Sequence, residues 1–209
     1  LSGPIKRLNE NLDFMFQEKR TLAEFTGILL KGIANVFIHQ GEEYSVRIES
    51  NQDIAGRIKT EIKNQELEIS FYDSIPVWLI SFPRLDVHVT VKDLKSCRMA
   101  GVGRMSCIDV LKVEDIQLTN SGVGGMSMKL DAKNIITTLK GVGEIELSGK
   151  TIKHDVEISG TGKVNALMLE AADVRVRSKG VGECLVHATG TLDIDASGIG
   201  KVRDRGKPQ

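Results

Sequence analysis

Between residues 101 and 200, apolar and polar positions alternate in short runs, and a glycine pair sets each run off from the next. The pairs are Gly101-Val102-Gly103, Gly122-Val123-Gly124, Gly141-Val142-Gly143, Gly160-Thr161-Gly162, Gly180-Val181-Gly182 and Gly198-Ile199-Gly200. Their first glycines fall 21, 19, 19, 20 and 18 residues apart. A period that regular marks a stack of near-equivalent coils. Aligned on the glycines, the residues behind each pair form two apolar columns with strand alternation. One is Met105, Met126, Ile145, Val164, Cys184, Val202, and the other is Cys107, Met128, Leu147, Ala166, Val186, broken at Asp204. Ahead of the pairs run two more, Ile116, Ile135, His154, Val174, Leu192 and Leu118, Thr137, Val156, Val176, Ile194. Each coil therefore holds at least two strands, one on either side of a glycine corner. Glycine suits such a corner because it takes positive φ and lets stacked backbones approach without a Cβ between them.

The polar positions obey the same grid. Behind the corners stand Arg104, Gly125, Glu144, Lys163, Glu183 and Lys201; ahead of them Asp155, Arg175, Asp193 and Glu157, Arg177, Asp195. Strands one coil apart lie ~4.8 Å from each other, so alternating signs put opposite charges in register and disfavour slipped pairings. The residue between the two glycines is harder to orient. Val181 is taken to point inward, although a corner residue can face either way.

Upstream, Phe25–Leu30, Ile33–Ile38, Tyr44–Ile48, Ile58–Ile62, Leu67–Phe71 and Leu85–Val91 read as strands. A short helix is expected between Asn51 and Ile58. The run 31–38 looks like an early, degenerate coil with Ala34 in place of its second glycine and Asn35 in the charge column. Three segments follow: an N-terminal extension (1–21), in which Phe14 and Phe16 could supply an edge strand, a β-rich capping region (22–95), and the glycine-repeat solenoid (96–205). The architecture predicted is all-β, a right-handed parallel β-helix of ~19–20-residue coils, its hand set by the usual sense of parallel crossovers.

Composition narrows the function. The chain has 209 residues with 28 Lys plus Arg and 28 Asp plus Glu, a formal net charge of zero. A nucleic-acid partner is not expected without a basic excess. No apolar run reaches the ~18–20 residues that span a bilayer, and residues 1–20 lack the apolar core of an export signal. The three cysteines, Cys97, Cys107 and Cys184, include no CxxC and read as small buried hydrophobes.

The four histidines, His39, His88, His154 and His187, are scattered without metal-ligand spacing, and His154 falls in an inner column. The outward acids alternate with Lys or Arg, and a carboxylate beside a cation makes a poor proton donor. Neither a catalytic site, a metal site nor a cofactor is expected. All nine aromatic residues lie at or before position 82, and Phe71, Tyr72, Trp78 and Phe82 cluster around Ser74-Ile75-Pro76. A solenoid needs its end covered, which favours these four as a plug; the alternative is a contact surface for a partner.

The succession FTGILLKGIANVFIHQGEEYSVRIES, LEISF, LDVHVTV and the tandem SGVG, KGVG, SGTG and SGIG coils resembles the putative auto-transporter adhesin head GIN domain family of exported Bacteroidetes proteins. The likeness runs over about residues 22–205. It implies a parallel β-helix and an extracytoplasmic place, in the periplasm, outer membrane or cell surface, the signal sequence having been removed. The function expected is a non-catalytic surface protein presenting a ribbed face for adhesion or assembly, with a surface protein or glycan as partner. The rival is a carbohydrate-active β-helix enzyme, lyase or glycosidase, or a polysaccharide-binding module. Lys201, Arg203, Asp204 and Arg205 in the last coil oppose open-ended stacking, so self-association should stop at a discrete homo-oligomer.

Overall fold

The structure is a computed structural model, and it describes residues 16–50, 52–72 and 85–206. The expected aromatic residues Trp78 and Phe82, and Phe14, lie outside the described residues. The protein is a β-solenoid of about 5 turns with almost no helix. The strands are β1 (Phe16–Thr21), β2 (Gly27–Leu30), β3 (Ile33–Gln40), β4 (Ser45–Ser50), β5 (Ile58–Lys63), β6 (Glu66–Phe71), β7 (Asp86–Val91), β8 (Ser96–Met99), β9 (Val102–Cys107) and β10 (Leu111–Asn120). They continue with β11 (Val123–Leu139), β12 (Val142–Ile158), β13 (Thr161–Ser178), β14 (Val181–Val186), β15 (Ala188–Ala196) and β16 (Ile199–Asp204). The helix expected over 51–58 is a single turn, α1 (Gln52–Ala55).

Two walls meet at the glycine corners. Ahead of the corner, β6, β2, β8, β10, the second halves of β11, β12 and β13, and then β15 stack in parallel. Behind it, β7, β3, β9, the first halves of β11, β12 and β13, then β14 and β16 do the same. The N-terminal end departs from chain order. Coil β2–β3 is sandwiched between the later coils β6–β7 and β8–β9. Antiparallel strands finish that end: β4 and then β1 beside β7, and β5 beside β6.

The register follows the columns. Val102, Val123, Val142, Thr161, Val181 and Ile199 are consecutive partners, as are Arg104, Gly125, Glu144, Lys163, Glu183 and Lys201. Ala34 pairs with Gly103 and Asn35 with Arg104, so residues 31–38 are a true coil. Departures from a uniform period fall in irregular places. The extra residue of the 20-residue coil is a bulge beyond Glu146/Asn165, and the 21-residue coil takes up its excess before Leu111. A third side carries one more charge column, Lys112, Asp131, Lys150 and Glu170, which the sequence reading did not assign.

At Gly143 the backbone φ is 148°, and a Cβ there would overlap the Gly124 carbonyl oxygen one coil back. At Gly141 a Cβ would likewise overlap the Gly122 carbonyl. Both constraints point toward the preceding coil. Ala34 is tolerated because it is not a positive-φ position, and the pairing of β3 with β7 begins only one residue later, at Asn35. Inside the corner, buried Asn120 receives the Gly122 N–H at 3.1 Å and donates to the Gly124 carbonyl at 3.2 Å.

The four apolar columns are buried as predicted until the last coil, where Val202 and Leu192 are half-buried and Ile194 is exposed. Each fully buried aliphatic contributes ~1.5–3 kcal/mol, so neighbouring coils hold one another by their facing columns. His154 sits among them, wholly buried, its Nε2 3.0 Å from the Thr137 hydroxyl. Burial alone lowers its pKa from 6.5 to about 4, so the ring is neutral near pH 7.

Candidate functional site: an exposed corner ridge and its groove

The residue between the two corner glycines faces water. Val181 is 47 % exposed, so of the two directions open to a corner residue it takes the outward one and not the inward one expected. Strand alternation explains the direction: counted back from buried Met105, Gly103 takes the inward parity and Val102 the outward one. The result is a ladder of β-branched side chains, Ile33, Val102, Val123, Val142, Thr161, Val181 and Ile199, with the aliphatic members 39–77 % exposed. A monomer exposes single apolar residues routinely, but a row at one strand spacing is a continuous apolar edge.

A shallow groove of about 710 Å³ runs along this ridge. Its lining includes Ile33, Val102, Val123 and Val142, the flat backbone of Gly101, Gly122 and Gly141, and Phe71 at its N-terminal end. Exposed Lys31, Ser121, Lys140, Ser159 and Lys179 precede the glycines on one flank. On the other stands the ionic ladder, in which Lys163 Nζ lies 3.8 Å from Glu144 and Arg203 Nε 3.6 Å from Glu183. Elsewhere the pairing follows the same rule: Arg175 to Asp193 at 2.9 Å, Lys150 to Asp131 at 3.4 Å and Lys133 to Glu114 at 2.7 Å.

The structure separates the aromatic candidates. Phe71 is half-buried, its ring lying across Gly32 where a Cβ would be. Tyr72 is 63 % exposed at the same end of the ridge.

Sequence spacing missed one cluster. His39 and His88 are 49 residues apart, yet Nε2 of His39 is 3.3 Å from Nδ1 of His88 because β3 and β7 are paired. His88 stacks on Phe37 at 5.0 Å and directs Nε2 toward Glu49 at 3.6 Å. Burial, then Arg47, pushes the His88 pKa below the usual histidine value. Only the pairing of two outward columns could have revealed this contact, and those columns have no glycine marker between them. Among the described residues no group of three or more His, Cys, Asp or Glu is placed to hold a metal ion. The three cysteines are free and buried, and burial raises the Cys184 thiol to about 12.

The family described as "Putative auto-transporter adhesin, head GIN domain" matches residues 24–208. The chain belongs to this family. Solved relatives of the GIN-domain protein share the fold. A putative adhesin from Bacteroides fragilis NCTC 9343 superposes with a TM-score of 0.89 at 23% identity, covering 93% of this chain and 90% of that one. A putative adhesin from Parabacteroides merdae ATCC 43184 gives 0.63 at 17% identity, covering 92% and 94%. A putative lipid binding protein from Parabacteroides distasonis ATCC 8503 gives 0.63 at 18% identity, covering 92% and 91%. No curated protein matches the GIN-domain chain.

Proposed function

We propose that this GIN-domain protein is a non-catalytic, exported surface or periplasmic adhesin whose corner ridge is the contact surface, and that its partner is an extended glycan or surface protein. The observation that carries the reading is the ladder from Ile33 to Ile199, an apolar edge at fixed spacing beside exposed glycine backbone. Such an edge offers one repeated contact to a ligand that is itself repetitive, and summed weak contacts raise avidity. Tyr72 extends the proposed contact at the ridge's N-terminal end. Family membership supports the adhesin role and the exported location. Cross-coil ion pairs engage Glu114, Asp131, Glu144, Glu183 and Asp193, which supports reading those carboxylates as structural.

The test is binding to immobilised acidic and neutral polysaccharides and to whole cells, comparing the native chain with a Val123→Asp/Val142→Asp variant. Loss of binding by about ten-fold or more in the variant is expected. Equal binding by both removes the ridge from the interface. Reproducible release of reducing ends or unsaturated products would make the protein an enzyme and end the adhesin reading.

A further inference from the structure

The last coil is built differently from the others. Among the described residues, β15 pairs only with β13 and β16 only with β14, so both strands offer an open row of backbone donors and acceptors. The core columns also surface there. Ile194 is 45% exposed, whereas its column mates Val176 and Val156 are buried, and Val202 and Leu192 are half-exposed. An open edge over uncovered aliphatic side chains is a template for another strand.

The charges on the two edges are opposite. Exposed Asp193, whose inner side is held by Arg175, and Asp195 line the outer face of β15, and exposed Lys201, Arg203, itself paired with Glu183 one coil back, and Arg205 that of β16 and the residue after it, so a second copy would continue each charge ladder by one more rung. We propose that this end docks on the same end of a second copy, giving a closed two-fold dimer with the two solenoids end to end. A two-fold axis through the glycine corner, at right angles to the stack, lays β15 of one copy on β16 of the other and makes the pair antiparallel. Two registers keep outward residues opposite outward ones. About Ile199, Arg203 faces Asp195 and Arg205 faces Asp193; about Gly198, Lys201 faces Asp195 and Arg203 faces Asp193. Either matches cation to carboxylate on both halves of the interface.

The alternative of β15 on β15 sets aspartate against aspartate, and β16 on β16 sets lysine and arginine against each other, which disfavours both. Stacking without limit is not available to this arrangement, because the two-fold axis pairs the same end of both copies and leaves neither β15 nor β16 open. This inference goes beyond the adhesin reading and does not depend on it.

The experiment is light scattering coupled to size exclusion and sedimentation on the full chain, with two charge-reversed variants, Asp193→Lys/Asp195→Lys and Lys201→Glu/Arg203→Glu. The native chain should reach twice 22.9 kDa as concentration rises. Each variant alone should dimerise at least about ten-fold more weakly. An equimolar mixture should recover the dimer as a heterodimer, since both of its interfaces are then complementary. The native dimer should also weaken as salt rises from ~0.05 to ~0.5 M, a readout that stands even if a variant fails to fold. A Val123→Asp/Val142→Asp variant, altered only on the ridge, should dimerise like the native chain.

A native chain that stays monomeric, a dimer indifferent to salt, variants that self-associate as well as the native chain, no heterodimer from two folded variants, or a dimer lost in the ridge variant would each overturn the proposal.

Discussion

Replacing His154 and Thr137 together removes a proton-binding site from the core and leaves its shape nearly intact. His154 lies between Ile135 and Val174 in its column, and Thr137 between Leu118 and Val156 in the next. His154→Leu/Thr137→Val therefore continues two aliphatic columns and deletes both ends of the 3.0 Å hydrogen bond at once. In the native protein burial holds the imidazole pKa at about 4 against 6.5 for a free ring. The folded state binds fewer protons than the unfolded one between those values, so stability is full above the free-histidine pKa and is lost as pH falls through the window. The contribution lost is about 2 kcal/mol at pH 5 and approaches about 3 kcal/mol below pH 4.

Carboxylates titrate over the same range, and subtracting the double variant's curve removes their share. Urea unfolding between about pH 7.5 and 4.5 should show the native stability converging on, or falling below, that of the variant by about 2 kcal/mol at pH 5. Parallel curves over that interval would mean that the ring is not held neutral in a dry column. The account of the core would then be wrong at His154.

Two further outcomes test the grid itself. Gly143→Ala should cost about 3 kcal/mol or more, because a Cβ must displace the Gly124 carbonyl at a positive-φ position, whereas Gly125→Ala, whose Cβ meets the Arg104 guanidinium at an ordinary 3.4 Å, should change stability by under about 1 kcal/mol. Thermal melts showing equal losses would refute the corner geometry. Val164→Asp should cost several kcal/mol through an unpaired charge in the core, while Val181→Asp on the exposed ridge should cost under about 1 kcal/mol, and urea midpoints that reverse this order would invert the ridge.

The solenoid was readable because each glycine pair resets the count, so that columns could be aligned by eye and tested against alternating charge. The partnership of Glu144 and Lys163 followed from that alignment alone. The direction of Val181 was open because it sits at a corner, where the glycines themselves occupy the inward parity. The ridge was not legible for that reason, since an outward column of valines has the composition of a core.

The third-side column Lys112, Asp131, Lys150 and Glu170 escaped notice for another reason. Bulges and insertions accumulate on that side, and spacing from the glycines no longer predicts register there. The contact of His39 with His88 and the placing of β2–β3 inside β6–β7 lay beyond a linear reading, because both join segments separated by irregular connections.

That inverted order at the N-terminal end bears on synthesis. From β8 onward each coil meets a neighbour already made, so the solenoid can lengthen rung by rung as the chain emerges from the ribosome. Coil β2–β3 enjoys no such convenience: one of its flanks waits for residues 66–91 and the other for residues 96–107. Its aliphatic residues Ile28, Leu30, Val36 and Ile38, all buried in the finished protein, stay uncovered until residues up to 107 have been made. Among the described rungs this early one waits longest for its neighbours, and its apolar strands must be kept from pairing with strangers in the interval.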